Sequence, residues 1–300
     1  MAITKILICG GTGLIGSNLV QKLKQKNFEV VLLSTQQSKC NNQDVFYWNP
    51  DQDKIDEKAL IDVDVIVNLS GQGIFDKPFT EKRKQELIDS RVKPLAILLK
   101  TIQKNKLQLP QLISASAIGY YPNICSNKLD ENSTKEDAFI SNLVNEWEKS
   151  ALEFEKINTK VCVFRFGIVL SNKGGFIKKL AQPIKFFIGA IPGNGKQIIS
   201  WIHIDDLTNM IVWAIDKQLN GTYNAVTPNP TDITRITKLL ASQMNRNILL
   251  PNIPEFMISL IFGKERGQLL LSSQIVSSNK IQSTGFNFNY SNIEKAIENI

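Results

Sequence analysis

"KILICGGTGLIGSNLV", Lys5 to Val20, sets an apolar run against Gly10, Gly11, Gly13 and Gly16, then continues with helical spacing through Leu19, Val20 and Leu23. The pattern reads as strand, turn and helix. Gly10, Gly13 and Gly16 form G-x-x-G-x-x-G, and each glycine has a separate task. A tight turn needs a residue tolerant of positive φ. A bound pyrophosphate needs close backbone approach, and the third glycine lets helix and strand pack together. The helix start adds free N–H groups and a partial positive charge. The stretch therefore predicts a dinucleotide seat built by Gly10, Thr12, Gly13, Leu14, Ile15 and Gly16. A bare structural bend is the competing reading.

Working outward, short β-branched runs alternate with helix-like segments. Strands are expected at 5–10, 29–34, 45–48, 63–71, 111–117 and 160–170, with helices at 17–26, 83–103 and 141–155. Several of these runs are almost wholly apolar, as in a parallel sheet covered by helices on both faces. The fold class is α/β, a Rossmann-like doubly wound parallel sheet with a smaller C-terminal lobe. From about Gly174, glycines and prolines break the pattern into shorter elements. Residues 1–217 are expected to form the NAD(P)-binding domain, its main part at 1–172 and a late strand and helix near 201–216. Residues 218–300 then form the substrate-side lobe.

Bulk properties narrow the classes. The chain has 300 residues and a net charge of +7, but its lysines are dispersed and no recognition motif accompanies them. A nucleic-acid partner is not expected, and charge alone supports that reading. Apolar runs fall far short of the roughly 20 residues that span a bilayer. No basic region precedes a long apolar stretch at the N-terminus, so no secretory signal is expected. Cys9, Cys40, Cys125 and Cys162 form no CxxC pair, and the chain has one histidine. No metal site is expected, and a reduced, cytoplasmic setting fits. The oligomeric state is not fixed by these features.

The end of the second strand selects the cofactor. An acid there would accept from a ribose diol, whereas hydroxyls with a cation suit a 2′-phosphate. The chain offers Ser34, Thr35, Gln36, Gln37 and Lys39, with no acid before Asp44. NADP is expected over NAD, with Ser34 and Thr35 beside the phosphate.

In order and spacing, "GGTGLIG", "VNLSG" (67–71), "ISASAIGYY" (113–121) and "WIHIDDL" (201–207) resemble the extended short-chain dehydrogenase/reductases of the NAD-dependent epimerase/dehydratase type. "NEWEKSA" (145–151), "RFGIVLSNKGG" (165–175), "GNGKQIISWIHIDD" (193–206), "GTYNAVTPNP" (221–230) and "STGFNFNYSNIEKAI" (283–297) narrow the resemblance to the YfcH-like epimerase family. That resemblance implies cofactor contacts at Leu69, Ser70, Gly71, Phe166 and Gly167. Arg91 faces either the cofactor or a helix partner. Ser116 falls at the catalytic Ser/Thr position.

The resemblance also implies a Tyr with a Lys four residues on, whose ammonium would lower the phenol's pKa. Those positions hold Phe139 and Leu143. Two readings stay open. One is an oxidoreductase or epimerase acting on a small polar or sugar-like molecule, with Ser116 holding the substrate oxygen and Tyr120 donating the proton. The other is a catalytically silent NADP(H)-binding regulator or scaffold. Gln197 and Trp201 are expected to line the substrate pocket. Glu146 and Glu148 are expected on a largely exposed helix, His203 at a helix start capped by Asp205 or Asp206, and "FMISLIFG" (256–263) in the core.

Overall fold

The computed structural model describes residues 4–40, 44–123 and 127–300; Cys125 lies outside them. The chain opens with β1 (Lys5–Cys9), α1 (Leu14–Gln25), β2 (Glu29–Ser34), β3 (Val45–Asn49), the short β4 (Lys54–Ile55) and β5 (Val65–Asn68). It continues through α2 (Glu81–Lys104), β6 (Gln111–Ala117), α3 (Phe139–Leu152), β7 (Lys160–Phe166), β8 (Ile168–Leu170) and α4 (Gly175–Lys185). Then come β9 (Ile198–Ile199), β10 (Trp201–His203), α5 (Ile204–Asp216), β11 (Gly221–Ala225), β12 (Thr231–Asp232) and α6 (Ile233–Gln243). Four short helices end the chain: α7 (Glu255–Phe262), α8 (Lys264–Leu270), α9 (Asn279–Ser283) and α10 (Ile293–Glu298).

Eight strands form the main sheet in the order β11-β7-β6-β5-β1-β2-β3-β4, parallel except where β4 pairs antiparallel to β3. The chain winds outward from β1 through β2 to β3, then from β5 through β6 to β7 on the other side. Order therefore reverses between β1 and β5, where open α/β sheets bind ligands beyond the strand ends. Alternation along β1 sorts its residues between two cores. Ile6 and Ile8 face Leu19 and Leu23 of α1 and Leu207, Met210 and Ile211 of α5. Leu7 and Cys9 face Leu95 and Leu98 of α2 and Trp147 and Ala151 of α3. Burial on both faces is why the strand sequences read as continuous apolar runs.

The late strand differs from expectation. Trp201–His203 lies outside the main sheet, paired with β8 in a separate two-stranded ribbon. The main sheet is closed by β11 against β7, Gly221 opposite Cys162 through Ala225 opposite Phe166. The expected 217/218 boundary thus parts β11 from the other strands of the sheet it completes. The reason lies at Gly167, which breaks the 160–170 run. Its N–H donates to Ala225 O, and Ile168 N–H turns to Ser200 O. Beyond it, α4, α6 and α10 pack Ile177, Ile184, Ile236, Leu240 and Ile297 into a third core around Trp201.

A further correction concerns 256–263. This stretch is helical but largely outside the core: Phe256 is 72% exposed, Leu260 83% and Ile261 64%, with Ile258 alone of α7 buried.

Candidate dinucleotide and reaction site

The glycine turn sits at the reversal point. Gly10 has φ +80°, and a β-carbon there would stand 2.8 Å from Leu69 O. A β-carbon on Gly16 would stand 2.2 Å from Gly10 O, so α1 approaches β1 only with glycine in that place. Gly13 N–H donates to Gly10 O, and Gly13 leads α1 without a side-chain cap. Thr12 and Gly13 are exposed, Leu14 and Ile15 half-buried. The first-turn amides therefore remain available to an anion.

Leu69, Ser70 and Gly71 follow β5 beside this turn. Ser70 N–H donates to Asn68 Oδ1, while the buried Asn68 Nδ2 has no partner among the described residues. The loop beyond is held from α2. Arg91 donates to Leu87 O and, at 3.0 Å, to Gln72 O. Its guanidinium stacks over Trp147, and burial, with Arg83 adding repulsion, lowers its pKa to about 10. Arg83 donates to Gly73 O at 2.8 Å, to Glu86 and to Gln72 Oε1. Arg91 is thus a 7%-exposed side chain tying helix to loop.

At the end of β2, a recess of about 230 Å³ is lined by Thr12, Leu32, Leu33, Ser34, Ser38, Lys39 and Val45. No carboxylate lines it. Ser34 Oγ caps the Gln36 amide at 3.1 Å, and Thr35 is exposed. Asp44 instead points to Lys24.

At the end of β6 lies a buried polar chain that the sequence reading missed. Ser116 Oγ donates to Glu148 Oε1 at 2.5 Å. Arg165 grips the same carboxylate with two bonds, Nε to Oε1 and Nη2 to Oε2, both 2.8 Å. Burial opposes the Arg165 charge, but the bonds to Glu148 outweigh it and raise the guanidinium pKa. Arg165 also donates to Tyr121 Oη, which donates to Asn224 Oδ1. Burial pushes the Tyr121 phenol up to about 12. The signal was present in the sequence. Glu148 occupies the apolar stripe Val144, Trp147, Glu148, Ala151 of α3, and Arg165 interrupts the apolar β7. A carboxylate and a guanidinium on two buried faces need each other.

This geometry corrects several expectations. Ser116 is 2% exposed, and its proton goes to Glu148 rather than toward the crevice. Glu148 is buried, whereas Glu146 is exposed as expected. Trp201 is fully buried and donates to Asn229 O, so it is a core residue rather than a pocket wall. Gln197 is likewise packed inward, donating to Pro192 O, with its Oε1 unpartnered among the described residues. Tyr120 is half-buried with its ring 3.6 Å from the Arg165 guanidinium carbon, and its hydroxyl has no partner among the described residues. Phe166 and Gly167 are half-buried at the end of β7. His203 is structural, but it is itself the cap: its Nδ1 accepts from Asp205 N–H, and the ring lies on Tyr290. Among the described residues no cluster could hold a metal ion, and no helix is long and apolar enough to cross a membrane.

Comparison with known proteins agrees with this architecture. Residues 6–225 match the NAD dependent epimerase/dehydratase family, and 253–300 match a domain of unknown function, DUF1731. An epimerase family protein of Staphylococcus haemolyticus is 34% identical over 301 residues, covering 99% of this chain and 98% of the relative. The crystal structure of a human epimerase family protein, SDR39U1, solved with NADPH, superposes with a TM-score of 0.88 at 27% identity, covering 99% of each chain. A nucleoside-diphosphate sugar epimerase from Corynebacterium glutamicum matches at 29% identity and TM-score 0.79, covering 99% of this chain and 57% of that one. The chain belongs to the NAD dependent epimerase/dehydratase family, in an NAD(P)-binding Rossmann-like form that ends in a DUF1731 domain.

Proposed function

We propose that this protein binds NADP(H) in preference to NAD(H) and serves as an oxidoreductase or epimerase on a small molecule. The recess at the end of β2 carries the cofactor choice: Ser34, Ser38 and Lys39 line it, with no carboxylate to repel a 2′-phosphate. Lys39 is exposed and takes part in no ion pair among the described residues. The residues fit the group. Gly10, Gly13 and the first amides of α1 would hold the pyrophosphate, Thr12 and Lys39 the adenosine end, and Leu69 to Gly71 the ribose at the reversal point. NADPH bound in the related human protein supports the reading. The cofactor, when bound, supplies the hydride; this chain supplies position and polarity.

Among the protein's own groups, Tyr120 is the proton donor of this proposal. Its hydroxyl is uncommitted and its ring is fixed by Arg165. Ser116 acts through placement, holding the turn that carries Tyr120 against the Glu148–Arg165 pair. The silent NADP(H)-binding reading rests on a specific observation: Phe139 packs edge-on against Phe79, and Leu143 is buried. Neither offers a proton.

Fluorescence titration tests the cofactor choice. The expected result is NADPH binding at least about tenfold tighter than NADH, with most of the difference lost in Lys39→Ala; a cation at a phosphate is worth this order. Equal affinity for both cofactors overturns it. Oxidation of NADPH by a carbonyl panel, abolished in Tyr120→Phe, separates the enzyme from the silent binder.

A further inference from the structure

We propose that the reacting end of the substrate is apolar and flat, an uncharged aryl or conjugated carbonyl compound or its alcohol, and that it carries no phosphate. The proposal deepens the function above and rests on the NADP(H) reading for the position of the reacting end.

The argument starts from what replaces the phenol and the ammonium. Beyond the ends of β5 and β6, Ile74, Phe79, Ala117, Tyr120, Phe139 and Ile140 form one half-buried cluster over the buried Leu87, Leu143 and Val144. Phe79 and Phe139 meet edge to face, centroids 5.5 Å apart. Ile140 closes on the Gly119 backbone so tightly that a β-carbon there would lie 2.7 Å from it. A sugar ring placed here would surrender its water and find few donors or acceptors, a loss that apolar walls do not return. A flat apolar ring gains area and favourable edge contacts from the same walls.

Four cations at this rim are engaged with protein, while Lys77 on the same loop is exposed. Lys84 lies 5.3 Å from the Phe139 ring, yet its ammonium is bound to Glu265 at 2.9 Å and pairs with Glu81. Arg83 holds Gly73 O and Glu86, and Arg266 donates to Phe75 O at 2.7 Å. Arg165 is held by Glu148. A nucleoside diphosphate would need such cations free, and here they serve as braces. The apolar character continues onto the C-terminal lobe. Arg266 lies between Phe75 and Phe262, 6.0 and 5.7 Å from their centroids, which brings the end of α7 to the rim of the cluster.

The test uses the full chain saturated with NADPH, after its binding has been measured separately. Saturation-transfer NMR and calorimetry are run with 2-naphthaldehyde and with UDP-glucose. The expected result is transfer to the naphthyl protons and none to UDP-glucose, with aldehyde affinity falling at least fivefold in Phe79→Ala while NADPH affinity stays unchanged. Ile74→Ser, on the neighbouring loop, gives a second variant should Phe79→Ala fold poorly. Saturable UDP-glucose binding without aldehyde binding overturns the proposal. So does aldehyde binding that survives both cluster variants but disappears in Leu260→Glu, which would assign it to the exposed face of α7. If NADPH fails to bind, the cofactor reading falls; the same aldehyde titration on the cofactor-free protein, with the same variants, still decides this one.

Discussion

Glu148 and Ser116 share one hydrogen bond, yet their removal should cost unequal amounts. Glu148→Ala leaves Arg165 buried and unpaired, a situation that typically costs about 3–5 kcal/mol. Ser116→Ala removes one donor from a carboxylate still held by two guanidinium bonds, and about 1 kcal/mol is expected. Urea unfolding of both variants checks the order, and equal losses would mean Arg165 finds another acceptor. Gly16→Ala is the matching probe on the cofactor side. Its β-carbon would meet Gly10 O and Gly11 Cα at 2.2 and 2.7 Å. A stability loss of about 2 kcal/mol is expected, together with loss of NADPH binding in the same fluorescence titration. The glycine turn was legible residue by residue because each glycine answers a backbone constraint that sequence spacing expresses. The Ser116–Glu148–Arg165 chain was not read, because Glu148 is polar and was assigned to solvent. Its position on the stripe of Trp147 and Ala151 was the available signal.

Elements were legible where burial is two-sided. The strands 29–34 and 111–117 have the expected bounds, their buried residues flanked by turns on both sides. β11 escaped notice because its Asn224 is a buried polar residue that breaks the apolar pattern. Asn224 spends its side chain on Tyr121 and Ser277 O, and its N–H on Glu131. The start of α5 yields a prediction about pH. Burial lowers the His203 pKa, with Asp205 opposing and Lys22 assisting. The folded state therefore takes up the proton less readily than the unfolded chain, whose histidine titrates near 6.5. The contribution of His203 to stability is full above about pH 6.5 and is lost as pH falls through its lower folded value. Asp206 works in the opposite direction, since burial raises its pKa and acid favours its folded form. Urea unfolding of the unmodified chain should show a decline in stability between about pH 7 and 5, and His203→Asn, which keeps a good helix cap, should remove it. His203 is the single histidine of the chain, so one imidazole NMR signal reports the folded pKa directly. A midpoint above 6.5 would contradict the burial argument.

At the scale of the whole molecule, the position of α7 and α8 depends on contacts that no periodicity reveals. The 256–263 run has the composition of a core helix, and sequence alone cannot show that only Ile258 of it is buried. What holds this part of the lobe to the Rossmann-like body is a small set of polar ties at α8. Lys84 pairs with Glu265, but the carboxylate is half exposed, and such pairs contribute about 0–1 kcal/mol. Arg266 is 8% exposed and reaches Phe75 O on the same loop that Arg83 and Arg91 brace from α2. Burial makes the arginine tie the stronger of the two, because its loss leaves a carbonyl without its donor and opens the stack between Phe75 and Phe262. Arg266→Ala should therefore raise amide hydrogen exchange across α8 and the 71–79 loop about tenfold or more, while β1, β5 and β6 keep their protection. Lys84→Ala should change the same amides by a few-fold at most. If Arg266→Ala leaves exchange at 71–79 unaltered, the loop is held by α2 alone, and the cleft rim is rigid without the C-terminal lobe.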